Sequence, residues 1–251
     1  MKIATYNICN SECGMPHRLN YIIAEIQKVK ADILCLQEVC NKETAEQIAT
    51  RTGYSHCFFD NYPNDEEGLC ILSNFPFVEC DSWMENVNAI YCSFLCDEKR
   101  VSVVNLHLPW DSVAEREHQI TDIVTAIDAK QYDTVYLAGD FNCTDTSDVQ
   151  RFLTGECLLR GRESKPCWYD LALSYAELTG TAAECTLNFR ENPRFRNNTI
   201  ELNARFDRIL LRNPYPGDFP VLESCAVFGR TVYEDIHLAA SDHYGVVVEV
   251  K

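Results

Sequence analysis

Residues 101–142 read VSVVNLHLPWDSVAEREHQITDIVTAIDAKQYDTVYLAGDFN, and this stretch decides the fold. Val101 to Leu106 and Thr134 to Ala138 are short apolar runs of the kind that form strands. Between them Val113, Ile120, Ile123, Val124 and Ile127 recur at helical spacing. Ser112 followed three residues later by Glu115 makes a capping box that starts this helix, with Pro109 and Asp111 just upstream. Each strand stops at hydrophilic residues: His107 ends the first, and Asp140 with Asn142 ends the second.

The same pattern continues outward. Lys2 to Ile8 predicts a strand, Leu19, Ile22, Ile23, Ile26 and Val29 a helix, and Asp32 to Gln37 a second strand. Further strands are expected over Ser55 to Phe59, Gly68 to Ser73, Ala89 to Cys96, Phe206 to Leu211 and Gly245 to Val250. Helices are expected over Lys42 to Arg51, Asp148 to Leu153 and Trp168 to Glu177. Crossovers mixed with hairpins call for two mixed β-sheets packed face to face with helices outside, an α/β (α+β) architecture. There is no repeat or Gly/Ser linker, so residues 1–251 are read as one catalytic domain. Asp60 to Glu67 and Arg190 to Asn203 are polar and read as surface loops, the acidic run Asp65 to Glu67 being solvated.

Charge narrows the function. With 22 Lys plus Arg against 38 Asp plus Glu, the net charge is −16, which excludes a basic nucleic-acid coat. No apolar window is long enough for a membrane span, and the MKIATYNIC start has no leader pattern, so an intracellular protein, cytoplasmic or nuclear, is expected. The 14 cysteines are scattered and read as buried thiols; the CxxxC spacings at Cys9/Cys13 and Cys92/Cys96 are weak zinc signals. No protein partner can be inferred, and a monomer is expected.

Polar residues at strand ends carry the chemistry. Asn7, Glu38, His107, Asp140 and Asn142 end four strands, while Asp207 begins a strand and Asp242 and His243 precede the last one. Antiparallel strands would bring those starts to the rim that holds the ends. Carboxylates, amides and imidazoles at one sheet edge suit a hard cation and phosphate-ester hydrolysis. Each residue also has a plainer reading. Asn7 and Asn142 could be turn residues with left-handed backbone, Glu38 a cap for the next helix, Asp140 a turn aspartate and His107 a core histidine. Those readings explain each residue separately and not their shared position.

TYN at 5–7, LQEV at 36–39, NLHL at 105–108, GDFN at 139–142 and SDHYG at 241–245 stand in the order of the endonuclease/exonuclease/phosphatase superfamily, which the chain resembles over nearly its whole length. ARFDRILLR at 204–212 and YDLALSYAELTG before CTLNF look most like its tyrosyl-DNA phosphodiesterase 2-like branch. The resemblance implies a four-layer αββα sandwich and a hydrolase that depends on Mg2+, with Mn2+ able to substitute. It assigns Glu38, Asn7 and Asp242 to the metal, and Asn7, Arg205 and Phe206 to substrate. Asp140 becomes the base, steadied by Asn142. His243, held protonated by Asp207, donates to the phosphate, and His107 matches a leaving-group position.

A phosphodiesterase or nuclease acting on a nucleic-acid end, with DNA repair as its setting, is therefore expected. A small phosphoester (nucleotide, inositol phosphate or lipid headgroup) is the alternative substrate, and a catalytically inactive phosphate-binding protein the alternative class. Arg190, Arg194, Arg196, Arg205, Arg208 and Arg212 are candidates for a local basic patch. The chain departs from the phosphotyrosyl enzymes in having Cys143 and Thr144 where they carry Leu and Arg after the GDTN motif. It also has Leu187 where they carry a tryptophan, so 5′-tyrosyl DNA is not expected to be strongly preferred.

Overall fold

The structure, a computed structural model, describes residues 1–63 and 67–251. One six-stranded sheet contains β1 (Lys2–Asn7), β2 (Ile33–Val39), β3 (His56–Asn61), β4 (Gly68–Ser73), β11 (Leu222–Phe228) and β14 (Gly245–Val250), in the order β11-β14-β1-β2-β4-β3. The other contains β5 (Phe77–Ser82), β6 (Ala89–Cys96), β7 (Lys99–His107), β8 (Thr134–Asp140), β9 (Trp168–Asp170) and β10 (Asp207–Arg212), in the order β5-β6-β7-β8-β10-β9. β12 (Val232–Tyr233) and β13 (Leu238–Ala239) form a separate ribbon. Among the described residues, β1 with β2 and β7 with β8 pair in parallel and the other pairs are antiparallel, so each sheet is mixed.

Strand alternation explains the layering. Ile3 faces the core between the sheets, with Ile33, Ile71, Val103 and Val248, whereas Ala4 and Tyr6 point the other way. That outer face is covered by α1 (His17–Val29) and α2 (Lys42–Thr52), and the second sheet is covered by α3 (Val113–Asp128) and α4 (Asp148–Leu153). The result is the four-layer αββα sandwich expected from sequence. Ser112 caps α3 as predicted, its Oγ accepting from Glu115 N at 3.2 Å.

Some expectations need correction. Trp168 to Glu177 is not one helix: Trp168–Asp170 pairs with β10, and Asp170 then caps α5 (Leu171–Thr179) by accepting from Ala172 N at 3.0 Å and Leu173 N at 3.3 Å. Asp60 and Asn61 belong to β3 rather than to a loop. Asp65 and Glu66 of the acidic run lie outside the described residues. All 14 cysteines are free thiols. Among the described residues, no helix is long and apolar enough to cross a membrane.

Candidate active site

The register places the polar strand ends together. His107 pairs with Asp140 across β7 and β8, Asp207 pairs with Asp140 across β10 and β8, and Thr5 pairs with Val246, which sets Asp242 and His243 beside the end of β1. Gly139 permits the close approach of β8, because a Cβ there would lie 1.9 Å from the Leu106 carbonyl oxygen. The two sheets are tied beneath the site by buried amides. Gln37 Nε2 donates to Asn105 Oδ1 at 2.6 Å, and Asn105 Nδ2 donates to the Leu36 and Cys70 carbonyls at 2.9 Å each.

Asn7 is the hub. Its Nδ2 donates to Glu38 Oε1 at 2.8 Å and to Asp140 Oδ2 at 3.1 Å, so carboxylates from both sheets converge on one amide. Glu38 Oε2 accepts from Asn10 N at 2.9 Å. Glu38 does not cap α2; Asn41 does, accepting from Thr44 N at 2.8 Å. Glu38 and Asn142 have φ of 56° and 48°, left-handed conformations that cost a non-glycine residue roughly 1 kcal/mol or more. Glu38 also sits where the β2–β4 register shifts, between Leu36 and Val39, so local irregularity turns its side chain into the site. Asn142 is thus both the turn residue and a site residue: its N donates to Asp140 Oδ1 at 2.8 Å and its Nδ2 to the Leu108 carbonyl at 2.9 Å.

Two histidines flank Asp140. The Nε2 atoms of His107 and of His243 each lie 3.7 Å from Asp140 Oδ2. His243 Nδ1 is 2.9 Å from Asp207 Oδ2. Burial acts to push His243 down, but the Asp207 and Asp140 carboxylates outweigh it and hold the imidazole well above its ordinary value. The proton it carries stabilises the fold below the unfolded-state value of about 6.5, and that contribution is lost as pH rises through the raised folded value. If protonated His243 serves the reaction, kcat/KM persists through neutrality and falls on the alkaline side. Asp207→Asn should move that alkaline limb to lower pH; a limb that stays in place in a pH–rate profile would contradict this role.

The other predicted residues divide. Asp242 Oδ1 accepts from Ser241 Oγ at 3.2 Å, while the Ser241 hydroxyl also reaches the Asn7 carbonyl at 2.7 Å. Although burial opposes it, the charges of His243 and Arg194 and a bond from Cys9 hold Asp242 below the usual carboxylate range. Phe206 is half-buried beside Asp207. Arg205 is not presented to a substrate: it is buried, bonding Asp170 Oδ2 at 2.7 Å and Asp145 Oδ1 at 2.8 Å. Of the six arginines expected to form a basic patch, three are neutralised by carboxylates and three, Arg190, Arg194 and Arg196, have no carboxylate partner among the described residues, Arg190 and Arg196 being exposed. Arg208 pairs with Asp145 at 2.7 Å, Arg212 is buried against Asp128, and Arg190, Arg194 and Arg196 donate to backbone carbonyls.

Several participants were missed. Tyr62 OH lies 2.9 Å from His107 Nδ1, which orients the ring so that Nε2 faces Asp140 and Glu38. Thr186 Oγ1 accepts from the Phe206 and Asp207 amides at 3.0 and 3.2 Å, and Asn192 Nδ2 donates to the Ser241 and Asp242 carbonyls at 3.0 Å each. Gln37 and Asn105 were visible within LQEV and NLHL as polar residues inside apolar strands. Tyr62, Thr186 and Asn192 had no such signal.

The donor set fits a hard divalent cation. Among the described residues, no lysine or arginine pairs with Glu38 or Asp140, so two carboxylates converge with the His243 imidazolium, 3.7 Å from Asp140, set against their charges. Asp140, Asp207 and His243 also offer one ligand atom each, all within 4.8 Å of one another. A protonated His243 cannot ligate a cation, which leaves Glu38 as the better holder; Asn7 turns its Nδ2, a donor, to both carboxylates, and its Oδ1 accepts from Cys9 N at 3.0 Å.

A model of the Endonuclease/Exonuclease/phosphatase family matches residues 4–243. No curated protein matches the chain. Among solved structures, D. rerio TDP2 complexed with single strand DNA product superposes with a TM-score of 0.76 at 18% identity, covering 100% of this chain and 98% of that one. TDP2 from C. elegans superposes at 0.75 and 18% identity, covering 99% and 74%. Beta toxin from Staphylococcus aureus does so at 0.69 and 13%, covering 100% of each chain. At such identities the likeness is one of fold.

Proposed function

The chain belongs to the endonuclease/exonuclease/phosphatase family, and from that premise we propose that it is a magnesium-dependent phosphodiesterase that hydrolyses a phosphodiester at a nucleic-acid end. The observation that carries this reading is the convergence of Glu38 and Asp140, from different sheets, on the Asn7 amide with His243 and its Asp207 partner alongside. Held by Glu38, whose carboxylate Asn7 positions, a magnesium ion would neutralise charge on the phosphate oxygens. Asp140 takes the proton of the attacking water, its carboxylate fixed by Asn142 N at one oxygen and Asn7 Nδ2 at the other. His243, carrying its proton on Nε2 while Asp207 holds Nδ1, donates to a non-bridging oxygen as negative charge builds there. No nucleophilic side chain is needed, so attack is in line and without a covalent intermediate.

A second reading, a small phosphoester such as a nucleotide, inositol phosphate or lipid headgroup, is favoured by three of the six arginines, Arg205, Arg208 and Arg212, being buried against carboxylates. A polyanion track needs free cations to neutralise phosphates. The tryptophan of the phosphotyrosyl enzymes is lacking as well: Leu187 stands in its place, buried in its bridge with Ala204, and Phe206 is half-buried. We therefore expect 5′-tyrosyl DNA to hold no large advantage, since each lost stacking or cation–π contact is worth about 1 kcal/mol. A magnesium-supplemented panel of tyrosyl, abasic and plain 5′-ended oligonucleotides, poly(A), inositol phosphates and simple diesters tests both readings by kcat/KM. A preference on the order of a thousandfold, about 4 kcal/mol, for the tyrosyl end would overturn the pocket argument. Inertness towards every member would favour the binding-protein alternative.

A further inference from the structure

We propose that Cys80 and Cys92 form a reversible oxidation site that closes to a cross-strand disulfide when the protein meets a peroxide. The two residues are direct partners in the antiparallel pairing of β5 with β6, and their sulfurs lie 3.0 Å apart. That is about 1 Å beyond a disulfide bond, which is near 2.05 Å. Opposed residues of an antiparallel pair have Cα atoms about 4.5–5.5 Å apart, inside the roughly 4.4–6.8 Å span that disulfides use, so the backbone need not move.

The two thiols are unequal. Cys92 is fully buried, whereas Cys80 is half-buried on β5, which ends its sheet and is open on one side. Hydrogen bonding from Cys92 outweighs burial and draws the Cys80 thiol below its ordinary value, and burial pushes Cys92 well above it. The thiolate is the attacking form, so Cys80 reacts first. Its sulfur bonds to one peroxide oxygen as the O–O bond breaks, giving a sulfenic acid and hydroxide, which takes up the available proton as water. Cys92 sulfur then attacks Cys80 sulfur; the S–O bond breaks, and the departing hydroxide takes the Cys92 proton. Two thiols are oxidised and hydrogen peroxide is reduced to two waters.

Cys57 and Cys70 serve as an internal contrast. Their sulfurs are 3.6 Å apart, and hydrogen bonding from Cys70 likewise draws Cys57 down. They are diagonal, however: Cys57 pairs with Leu72 and Cys70 with Phe59. Diagonal positions stand about 7–8 Å apart, at or past the roughly 7 Å that a disulfide tolerates without backbone movement.

Exposing the intact chain to hydrogen peroxide, alkylating the remaining thiols and mapping the peptides tests the site. The expected result is a Cys80–Cys92 cross-link, lost on treatment with dithiothreitol, while Cys57 and Cys70 stay alkylated. In Cys92→Ser, which keeps a donor to Cys80 but cannot close the disulfide, Cys80 should persist as a sulfenic acid trapped by dimedone. Cys80 and Cys92 both remaining alkylatable, or Cys57 and Cys70 linking as readily, would overturn the proposal.

Discussion

Replacing Asp140 with asparagine is expected to give a folded protein whose kcat falls by on the order of a hundredfold or more, the usual loss when a positioned base is removed. Asparagine has nearly the same shape and keeps one oxygen, which can still accept from Asn142 N, so the turn that follows β8 survives. Asn7 retains its bond to Glu38 at 2.8 Å. What disappears is the basic oxygen that lies 3.7 Å from both histidines. Steady-state kinetics on a substrate from the panel, with a thermal melt of the same preparation, checks both halves. A wild-type rate would mean that Asp140 is not the base.

Asp170→Ala is expected to cost about 3–5 kcal/mol of stability, because it strips charge compensation from two buried arginines. Asp170 bonds Arg205 at 2.7 and 3.2 Å and lies 3.5 Å from Arg208 Nε. Asp145 then remains as their one carboxylate partner among the described residues, at 2.8 and 2.7 Å. The same substitution removes the cap of α5, worth about 1 kcal/mol. Asp170→Asn separates the two effects, since its amide oxygen still caps the helix while the charge is gone. Urea unfolding of the two variants should show the larger share of the loss already in Asp170→Asn; a loss below about 1 kcal/mol there would show that Asp145 suffices.

The site was legible in sequence because strand ends are where apolar alternation breaks, and the four broken strands, β1, β2, β7 and β8, are central ones with strong patterns. Asp207 was found for the same reason, at the start of β10. Among the strands that escaped, β5 and β11 begin their sheets' orders and bury one side only, so FVECDS and LESCAVF carry a diluted signal, and β12 and β13 are two residues each. Trp168–Asp170 was absorbed into the helix that follows because three residues are too few to show a period. Arg205, Arg208 and Arg212 were misjudged for a different reason. Sequence displays a charge and not its partner, and Asp145 and Asp170 lie 60 and 35 residues from Arg205. Tyr62 stands 45 residues from His107, so only the fold could reveal it.

Metal dependence is the most direct test. Initial rates of hydrolysis of a short phosphodiester should be measured on the chain in EDTA and with magnesium titrated back, beside Glu38→Gln treated identically. The predicted result is no turnover in EDTA, recovery with magnesium, and for Glu38→Gln both a lower maximum and a higher magnesium requirement, since a hard cation loses its charged ligand. Undiminished hydrolysis in EDTA, or a Glu38→Gln titration that overlays that of the wild type, would contradict it.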